Sequence, residues 1–167
     1  MPHLERFLTA QEGIFDTALD EIKRGRKESH WMWFVFPQMK GLGRSETAQH
    51  FGICDIEEAR AYLRHPILSG RLFEITSALL AQEERDPEKI FGDIDAIKLR
   101  SSMTLFAIAS PGNTLFGVVL EDFFGNRWDQ ATIDILKNQL PKEEQFAFIG
   151  EVTLKRYRKA FEVLGNC

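Results

Sequence analysis

One stretch of this 167-residue chain, residues 27–45, combines aromatic rings and polar groups more densely than any other: K-E-S-H-W-M-W-F-V-F-P-Q-M-K-G-L-G-R-S. The rings of Trp31 and Trp33 can stack on a planar ligand such as a nucleobase, and the amide of Gln38 can hydrogen-bond to the edge of a base. His30 can act as an acid or a base near neutral pH. We therefore predict that the stretch forms one wall of a cleft. The alternative is that the rings belong to the core and that His30 only bonds to a carbonyl.

A second stretch, Lys98–Thr104, sets two cations and three hydroxyls along two helical turns. Lys98, Ser101 and Ser102 share a helix face through spacings of three and four residues. Such a face can hold a phosphate or a carboxylate, because lysine supplies charge and the hydroxyls supply donors. Ser102 near a lysine also suggests a nucleophile with its base. The alternative is a solvated helix face whose hydroxyls bond back to the preceding turn.

A third candidate, Arg71, lies on the apolar side of a predicted helix, between Leu68 and Leu72. A buried cation needs a partner, because leaving an unpaired charge in the core is costly. The sequence offers two readings: a structural salt bridge to Asp95 or Glu58, or a contact with the phosphate of a ligand.

Familiar catalytic and cofactor signatures are absent: the sequence has no G-x-S-x-G, no H-E-x-x-H, no P-loop and no Rossmann glycine pattern. The four histidines include no pair spaced by three or four residues, and Cys54 and Cys167 stand alone. We therefore expect no metal and no other cofactor. Isolated cysteines are typical of a reducing compartment, which indicates the cytoplasm.

Composition excludes several classes of protein. The formal net charge of −4 argues against a protein that binds nucleic acid by sequence, since no global positive field attracts the phosphates. No apolar run approaches the length of a membrane span, and the first residues do not resemble a signal peptide, so no membrane is expected. The 14 phenylalanines predict an aromatic core in one domain.

The elements that must position these residues are helices, because apolar residues recur at spacings of three and four and no alternating run is present. We predict an all-α fold: a single compact domain of seven to nine short helices over residues 1–140, with a C-terminal extension over residues 141–167. The extension carries an apolar group, Phe146–Ile149, followed by a basic amphipathic helix, Val152–Leu164. The oligomeric state is left open.

Local signals predict where several helices begin and end. Ser45 suits the N-cap of a helix over Glu46–Phe51, and Asp55, Asp93 and Asp129 suit the same role in later helices. The Gly41-Leu42-Gly43 segment is a turn. Residues 27–38 are predicted to form a short buried helix that ends at Pro37, with a strand as the rival interpretation.

These motifs together resemble domain-of-unknown-function family 1810, a family of small bacterial proteins. The matching segments, spread over residues 4–140, are Ser29–Phe34, Phe36–Gln38, Gly41–Ser45, Phe51–Ile53, Glu58–Pro66, Gly70–Leu72, Ile90–Gly92, Asp95, Lys98–Phe106 and Asp129–Thr132. The resemblance implies an all-helical domain and no established activity, substrate or cofactor. It also implies a shared pocket, by analogy, formed by its polar members: Lys27, His30, Gln38, Ser45, His65, Arg71, Lys98, Ser101 and Ser102.

Three hypotheses on function follow. The first is an enzyme for a nucleotide-like or phosphorylated ligand, such as a hydrolase or glycosidase, with His30 and Ser102 as catalytic residues and Lys27, Trp31, Trp33, Gln38, Arg71, Lys98 and Ser101 as ligand contacts. The second is a non-catalytic binding or regulatory module that uses the same cleft. The third is a protein-interaction scaffold that docks through the C-terminal extension.

Overall fold

Twelve helices make up the regular structure of the protein in a computed structural model that describes residues 2–110, 112 and 115–165. The helices are α1 (Glu5–Gln11), α2 (Phe15–Lys23), α3 (Met32–Val35), α4 (Glu46–Phe51), α5 (Ile56–Arg64), α6 (Pro66–Leu80), α7 (Pro87–Phe91), α8 (Asp93–Ala109), α9 (Leu115–Phe124), α10 (Gln130–Asn138), α11 (Lys142–Arg156) and α12 (Arg158–Gly165). An isolated parallel β-bridge joins Met39 and Ile53, and no longer strand occurs in these residues. The all-α prediction is confirmed.

The number of helices exceeds the predicted seven to nine for two reasons. Three of the helices, α3, α4 and α7, have only four to six residues each. The C-terminal segment also divides into two. No helix in the part of the chain that the structure describes is long and apolar enough to span a membrane.

Helix α8 is the centre of the core. It packs against α5, α7, α9, α10 and α11, while α6 packs against α2, α5 and α9. Every residue from Ser101 to Ser110 is buried, so this half of α8 is enclosed on all sides. The N-terminal half is covered less completely, with Ile94 and Ile97 exposed, and it is this half that presents polar side chains to solvent.

Predicted capping residues begin three of the helices. The side chain of Ser45 accepts from the backbone N–H of Ala48 (3.1 Å), and Asp55 accepts from that of Glu58 (2.8 Å). Asp129 accepts from the N–H of Thr132 (3.2 Å) at the start of α10. These caps satisfy amides that have no partner inside the helix.

The prediction that Asp93 caps α8 is wrong. The helix begins at Asp93 itself, and Gly92 occupies the N-cap position with a φ of +81°. That backbone conformation favours glycine. The carboxylate of Asp93 accepts instead from the adjacent N–H of Ile94 (2.9 Å).

The prediction of one C-terminal helix over Val152–Leu164 is also wrong. Helix α11 already begins at Lys142 and ends at Arg156, and α12 follows after Tyr157. In a continuous helix the carbonyl of Arg156 would accept from an N–H four residues later. Here it accepts from Nδ2 of Asn126 (2.9 Å), while Nε of Arg156 donates to the carbonyl of Asn126 (3.1 Å). These tertiary hydrogen bonds give a physical reason for the break.

Candidate functional site

Two lysines share one carboxylate near the start of α8. Nζ of Lys27, from the segment between α2 and α3, lies 2.8 Å from Oδ2 of Asp95. Nζ of Lys98, one turn further along α8, lies 3.1 Å from Oδ1. Burial alone would raise the pKa of Asp95, but hydrogen bonds from Lys27 and Lys98, together with their charges, hold it below its usual value. The three groups therefore carry two positive charges and one negative charge at neutral pH.

Each of these lysines also lies over a tryptophan ring. The distance from Nζ of Lys98 to the ring centroid of Trp33 is 4.3 Å, and that from Nζ of Lys27 to Trp31 is 4.8 Å. Both distances suit a cation–π contact. Trp31 is buried in the core, whereas Trp33 is only partly buried. We name Lys27, Trp31, Trp33, Asp95 and Lys98 the Asp95 cluster; four of these five residues were predicted as ligand contacts.

A buried glutamate holds the segment that delivers Lys27 and Trp31. Oε1 of Glu21, on α2, accepts from the backbone N–H groups of Glu28 (2.6 Å) and Ser29 (2.8 Å) and from Nε1 of Trp31 (3.0 Å), while Oε2 accepts from Oγ of Ser29 (2.6 Å). Burial opposes ionisation, but these four hydrogen bonds outweigh it and lower the pKa of Glu21 to about 2.

Glu21 was missed by the sequence analysis, although a signal was present. It lies three residues after Ala18 and directly before Ile22, within the apolar stripe of α2. A carboxylate in such a stripe must be buried with partners. Arg71 was identified by the same pattern, a charged residue on the apolar side of a helix.

The turn after α3 closes against the edge of Trp33. A Cβ added to Gly43 would lie 2.7 Å from Cη2 of Trp33 and 2.6 Å from Cβ of Ala48. Only glycine leaves room for the tryptophan ring at this position. The Gly41-Leu42-Gly43 segment therefore fits the turn that the sequence predicts, and it fixes one side of the Asp95 cluster.

The remaining predicted residues of the first stretch have different surroundings. His30 is exposed, follows Ser29 and precedes Trp31, and makes no hydrogen bond to any residue that the structure describes. Gln38 is buried, and its Nε2 has no partner among those residues. The backbone carbonyl of Gln38 accepts from the N–H of Ile53 (2.8 Å) beside the β-bridge.

Arg71 belongs to a separate polar group. Its Nη1 donates to Oε1 of Gln11 (3.2 Å), and Nε2 of Gln11 donates to the hydroxyl of Tyr62 (3.0 Å) and to the carbonyl of Phe34 (2.8 Å). Burial raises the pKa of Tyr62, although Gln11 and the charge of Arg71 act in the opposite direction.

Of the two alternatives for Arg71, the salt bridge to Asp95 or Glu58 is wrong, because both carboxylates have other partners. Asp95 binds the two lysines, and Glu58 pairs with Arg6 at 2.6 Å. An amide, not a carboxylate, is therefore the hydrogen-bond partner of Arg71.

The two serines of α8 do not join Lys98. Oγ of Ser101 donates to Oδ2 of Asp129 (3.0 Å), the N-cap of α10, whose backbone N–H donates to Oγ1 of Thr104 (2.9 Å). These bonds connect α8 to α10. Ser102 is fully buried and its Oγ has no partner among the described residues.

Two cavities lie away from the Asp95 cluster. One, of about 290 Å³, separates α8 and α9 from the C-terminal helices and is lined by Ala107, Ser110, Val118, Trp128, Lys155 and Tyr157, among others. The other, of about 570 Å³, is lined by Arg85, Asp93, Arg100, Phe123 and Arg127, among others. Neither cavity includes a residue of the cluster. The volume of the cavities and the charge of the cluster therefore indicate different parts of the surface as a ligand site. The charge is the better indication of a ligand site, because it depends on specific contacts rather than on empty space.

Within residues 2–110, 112 and 115–165, no three His, Cys, Asp or Glu side chains gather as they would around a metal ion. The chemistry available at the Asp95 cluster is therefore that of two ammonium groups, a carboxylate and an indole ring, with an imidazole next to them in the chain. Such a set can bind an anion and contact an aromatic ring.

Comparison with known proteins identifies the family. A family model described as "Protein of unknown function (DUF1810)" matches residues 1–136. The chain is similar to the crystal structure of the conserved hypothetical protein Rv1873 from Mycobacterium tuberculosis, with 44% identity and a TM-score of 0.79, over 81% of this chain and 96% of that chain. No curated protein matches. The predicted resemblance is confirmed, and the chain belongs to the DUF1810 family of proteins of unknown function.

Proposed function

We propose that the protein binds a small anionic ligand with a planar ring, such as a nucleotide or a related phosphorylated compound, at the Asp95 cluster. The observation that carries the proposal is the sharing of one carboxylate by two lysines. One positive charge is left over within the cluster. A phosphate or carboxylate of a ligand would compensate it and would accept hydrogen bonds from the same ammonium groups.

The rest of the cluster suits the ring of such a ligand. Trp33 is partly exposed, and its ring lies beside Lys98, so one ligand could meet both groups. Stacking of a base on an aromatic side chain contributes about 1–3 kcal/mol. Trp31 is buried and supports Lys27 rather than the ligand. Arg71 and Ser101 bond to other residues and Gln38 is buried, so these three have no part in the proposed contact surface.

A hydrolase or glycosidase activity is the catalytic form of this proposal. In such a reaction water supplies a hydroxyl to the phosphorus or to the anomeric carbon, and the leaving oxygen takes up a proton. His30 is the group that we assign to that proton transfer, because its imidazole is exposed and it directly precedes Trp31 of the cluster in the chain. Ser102 receives no role, since its hydroxyl is fully buried.

A thermal-shift screen followed by calorimetry tests the binding site. Nucleotides, sugar phosphates and dinucleotides would be added to the wild type and to Lys98→Gln, Trp33→Leu and Lys89→Gln. Lys89 is an exposed lysine outside the cluster, so its variant controls for the loss of one surface charge. A ligand at about 100 times its dissociation constant stabilises the fold by roughly 2.7 kcal/mol.

We expect one ligand class to raise the melting temperature of the wild type and of Lys89→Gln, and to lose this effect in Lys98→Gln and Trp33→Leu. An unchanged shift in both cluster variants would refute the site. Turnover of the same ligand that disappears in His30→Gln while affinity is kept would support an enzyme. Binding without turnover would support the non-catalytic module.

The cavity at the C-terminal helices is a second candidate site. No carboxylate lies within 4 Å of Lys155 or Arg156 among the described residues, and the buried hydroxyl of Ser110 has no partner there. An anion with an apolar body suits this lining. Val118→Trp would fill the cavity. If a ligand's thermal shift is lost in Val118→Trp and retained in Lys98→Gln, the cavity is the binding site and the cluster is not.

A further inference from the structure

Helix α11 exposes a row of apolar side chains to solvent. Phe146 is 91% exposed and Leu154 is 56% exposed, and Ile149 and Tyr157 are exposed beside them. Phe146, Gly150 and Leu154 follow one another at intervals of four residues and therefore share one face of the helix. The opposite face holds the buried Val152. The exposed row is thus not a consequence of poor packing of α11 against the core.

The large apolar and the small residues of this face are arranged symmetrically about its central residue. Gly150 stands at its centre, with Phe146 four residues before it and Leu154 four residues after it. Small side chains, Ala147 and Thr153, lie three residues before and three residues after Gly150. A Cβ added to Gly150 would have no atom within 4 Å, so the space above the glycine is open for a second helix.

The charges of α11 point to a second copy as the occupant. Its first turn carries two exposed acidic residues, Glu143 and Glu144, and its last turn carries the basic Lys155 and Arg156. Two copies of α11 that run antiparallel bring the acidic end of each beside the basic end of the other. Their helix dipoles are then also opposed, which is favourable.

We propose that the chain forms a symmetric dimer through α11, with a two-fold axis that passes through Gly150. Phe146 of each copy then packs against Leu154 of the other, and Ala147 lies opposite Thr153. Such an interface is self-complementary, as a two-fold contact must be. The family model ends at residue 136, so this dimer belongs to the part of the chain beyond the family domain.

A single pair of helices buries little surface, so the dimer depends on protein concentration. Interfaces below about 1,200 Å² are those of weak or transient complexes. Sedimentation velocity over a wide range of protein concentration measures the association directly. We expect the wild type to shift from monomer to dimer as the concentration rises.

Charge placed on the row removes the dimer. Phe146→Lys is expected to stay monomeric over the range in which the wild type associates, with an unchanged melting temperature because Phe146 contacts solvent. Ile94→Lys is the matched control, since Ile94 on α8 is 67% exposed and lies outside the row. A wild type that is monomeric throughout, or equal association in Phe146→Lys and Ile94→Lys, would overturn the proposal.

A disulfide trap tests the axis itself. At a helix spacing of about 8–10 Å the two Cα atoms of residue 150 lie roughly 3.5–5.5 Å apart, within the reach of a disulfide. Gly150→Cys, in a chain with Cys54→Ser and Cys167→Ser, should cross-link on oxidation. Gly70→Cys is the matched control, because Gly70 is an exposed helical glycine with equally open space. Cross-linking that is no faster at residue 150 than at residue 70 would contradict an axis through Gly150.

Discussion

Glu21 shows how a single buried carboxylate can organise a surface that it does not reach. Its four hydrogen bonds all go to the segment after α2, which carries Lys27 and Trp31. The proposed ligand contacts therefore depend on a residue of the core. Removal of Glu21 should disturb both the stability of the fold and the geometry of the Asp95 cluster.

The pH dependence of stability follows from the lowered pKa of Glu21. A carboxyl that ionises more readily in the folded chain stabilises the fold above its ordinary pKa of 4.5 and loses that contribution as the pH falls toward about 2. The contribution is roughly 3 kcal/mol at pH 7. Urea unfolding should therefore find Glu21→Gln about 2–3 kcal/mol less stable than the wild type at pH 7, with a smaller difference at pH 3.

Glu83→Gln, which removes an exposed carboxyl, is the control for that experiment. If the difference between Glu21→Gln and the wild type were the same at pH 3 and pH 7, the hydrogen bonds of Glu21 would not depend on its charge.

At the level of single residues, contacts within one turn were predictable and contacts across the chain were not. Asp95 and Lys98, three residues apart on α8, form the ion pair that their spacing predicts. The second partner of Asp95 is Lys27. These two side chains come together only because α7 and α8 pack against the segment after α2. Ser101 was assigned to Lys98 by spacing, but its hydroxyl bonds to Asp129 on another element.

Among the elements, the turn between α3 and α4 has no space for a side chain at Gly43. A side chain at Gly43 meets Trp33 and Ala48 at distances below 3 Å, so one of them must move. Gly43→Ala should therefore destabilise the fold by about 1–3 kcal/mol, and the displaced ring should weaken binding of a ligand that contacts Trp33. Chemical denaturation and tryptophan fluorescence measure the two effects.

Gly70→Ala provides the opposite case. Gly70 lies in α6 with no atom within 4 Å of an added Cβ, so alanine should stabilise the helix by about 0.5–1 kcal/mol. Equal effects of alanine at residues 43 and 70 would show that the contact with Trp33 is unimportant.

The starts of α4, α5 and α10 were predictable, because a capping side chain determines each of them. Ser45, Asp55 and Asp129 all accept hydrogen bonds from the first turn, which is a property of a few adjacent residues. The break at Tyr157 was not predictable in this way. The carbonyl of Arg156 is bound by Asn126, which is remote in sequence.

For the whole molecule, an enclosed ion pair joins α1 to α5. Arg6 and Glu58 have side chains that are only 6% and 7% exposed, and Nη2 of Arg6 lies 2.6 Å from Oε1 of Glu58. Arg6 also donates to the carbonyls of His50 (2.8 Å) and Gly52 (3.0 Å). The guanidinium thus connects three elements, α1, α4 and α5, at one point.

Arg6→Met should lower the free energy of unfolding by about 3–5 kcal/mol, because it leaves Glu58 buried without its cation. Arg60→Met is the control: the Arg60–Glu57 pair is exposed at both ends, and such pairs contribute about 0–1 kcal/mol. Guanidinium unfolding of both variants measures the contrast, and a loss at Arg6 no larger than that at Arg60 would contradict a structural role for the enclosed pair.

The enclosure of α8 also limits how this sequence can drift over evolutionary time. A helix at the surface tolerates substitutions at most of its positions, since only every third or fourth residue faces inward. From Ser101 to Ser110 no position is free to vary in this way, because all ten residues are buried. Change there must come as paired exchanges with neighbouring helices rather than one residue at a time. Divergence should therefore gather at exposed positions of the N-terminal half of α8 outside the Asp95 cluster, such as Ile94 and Ile97, and residues 101–110 should change little.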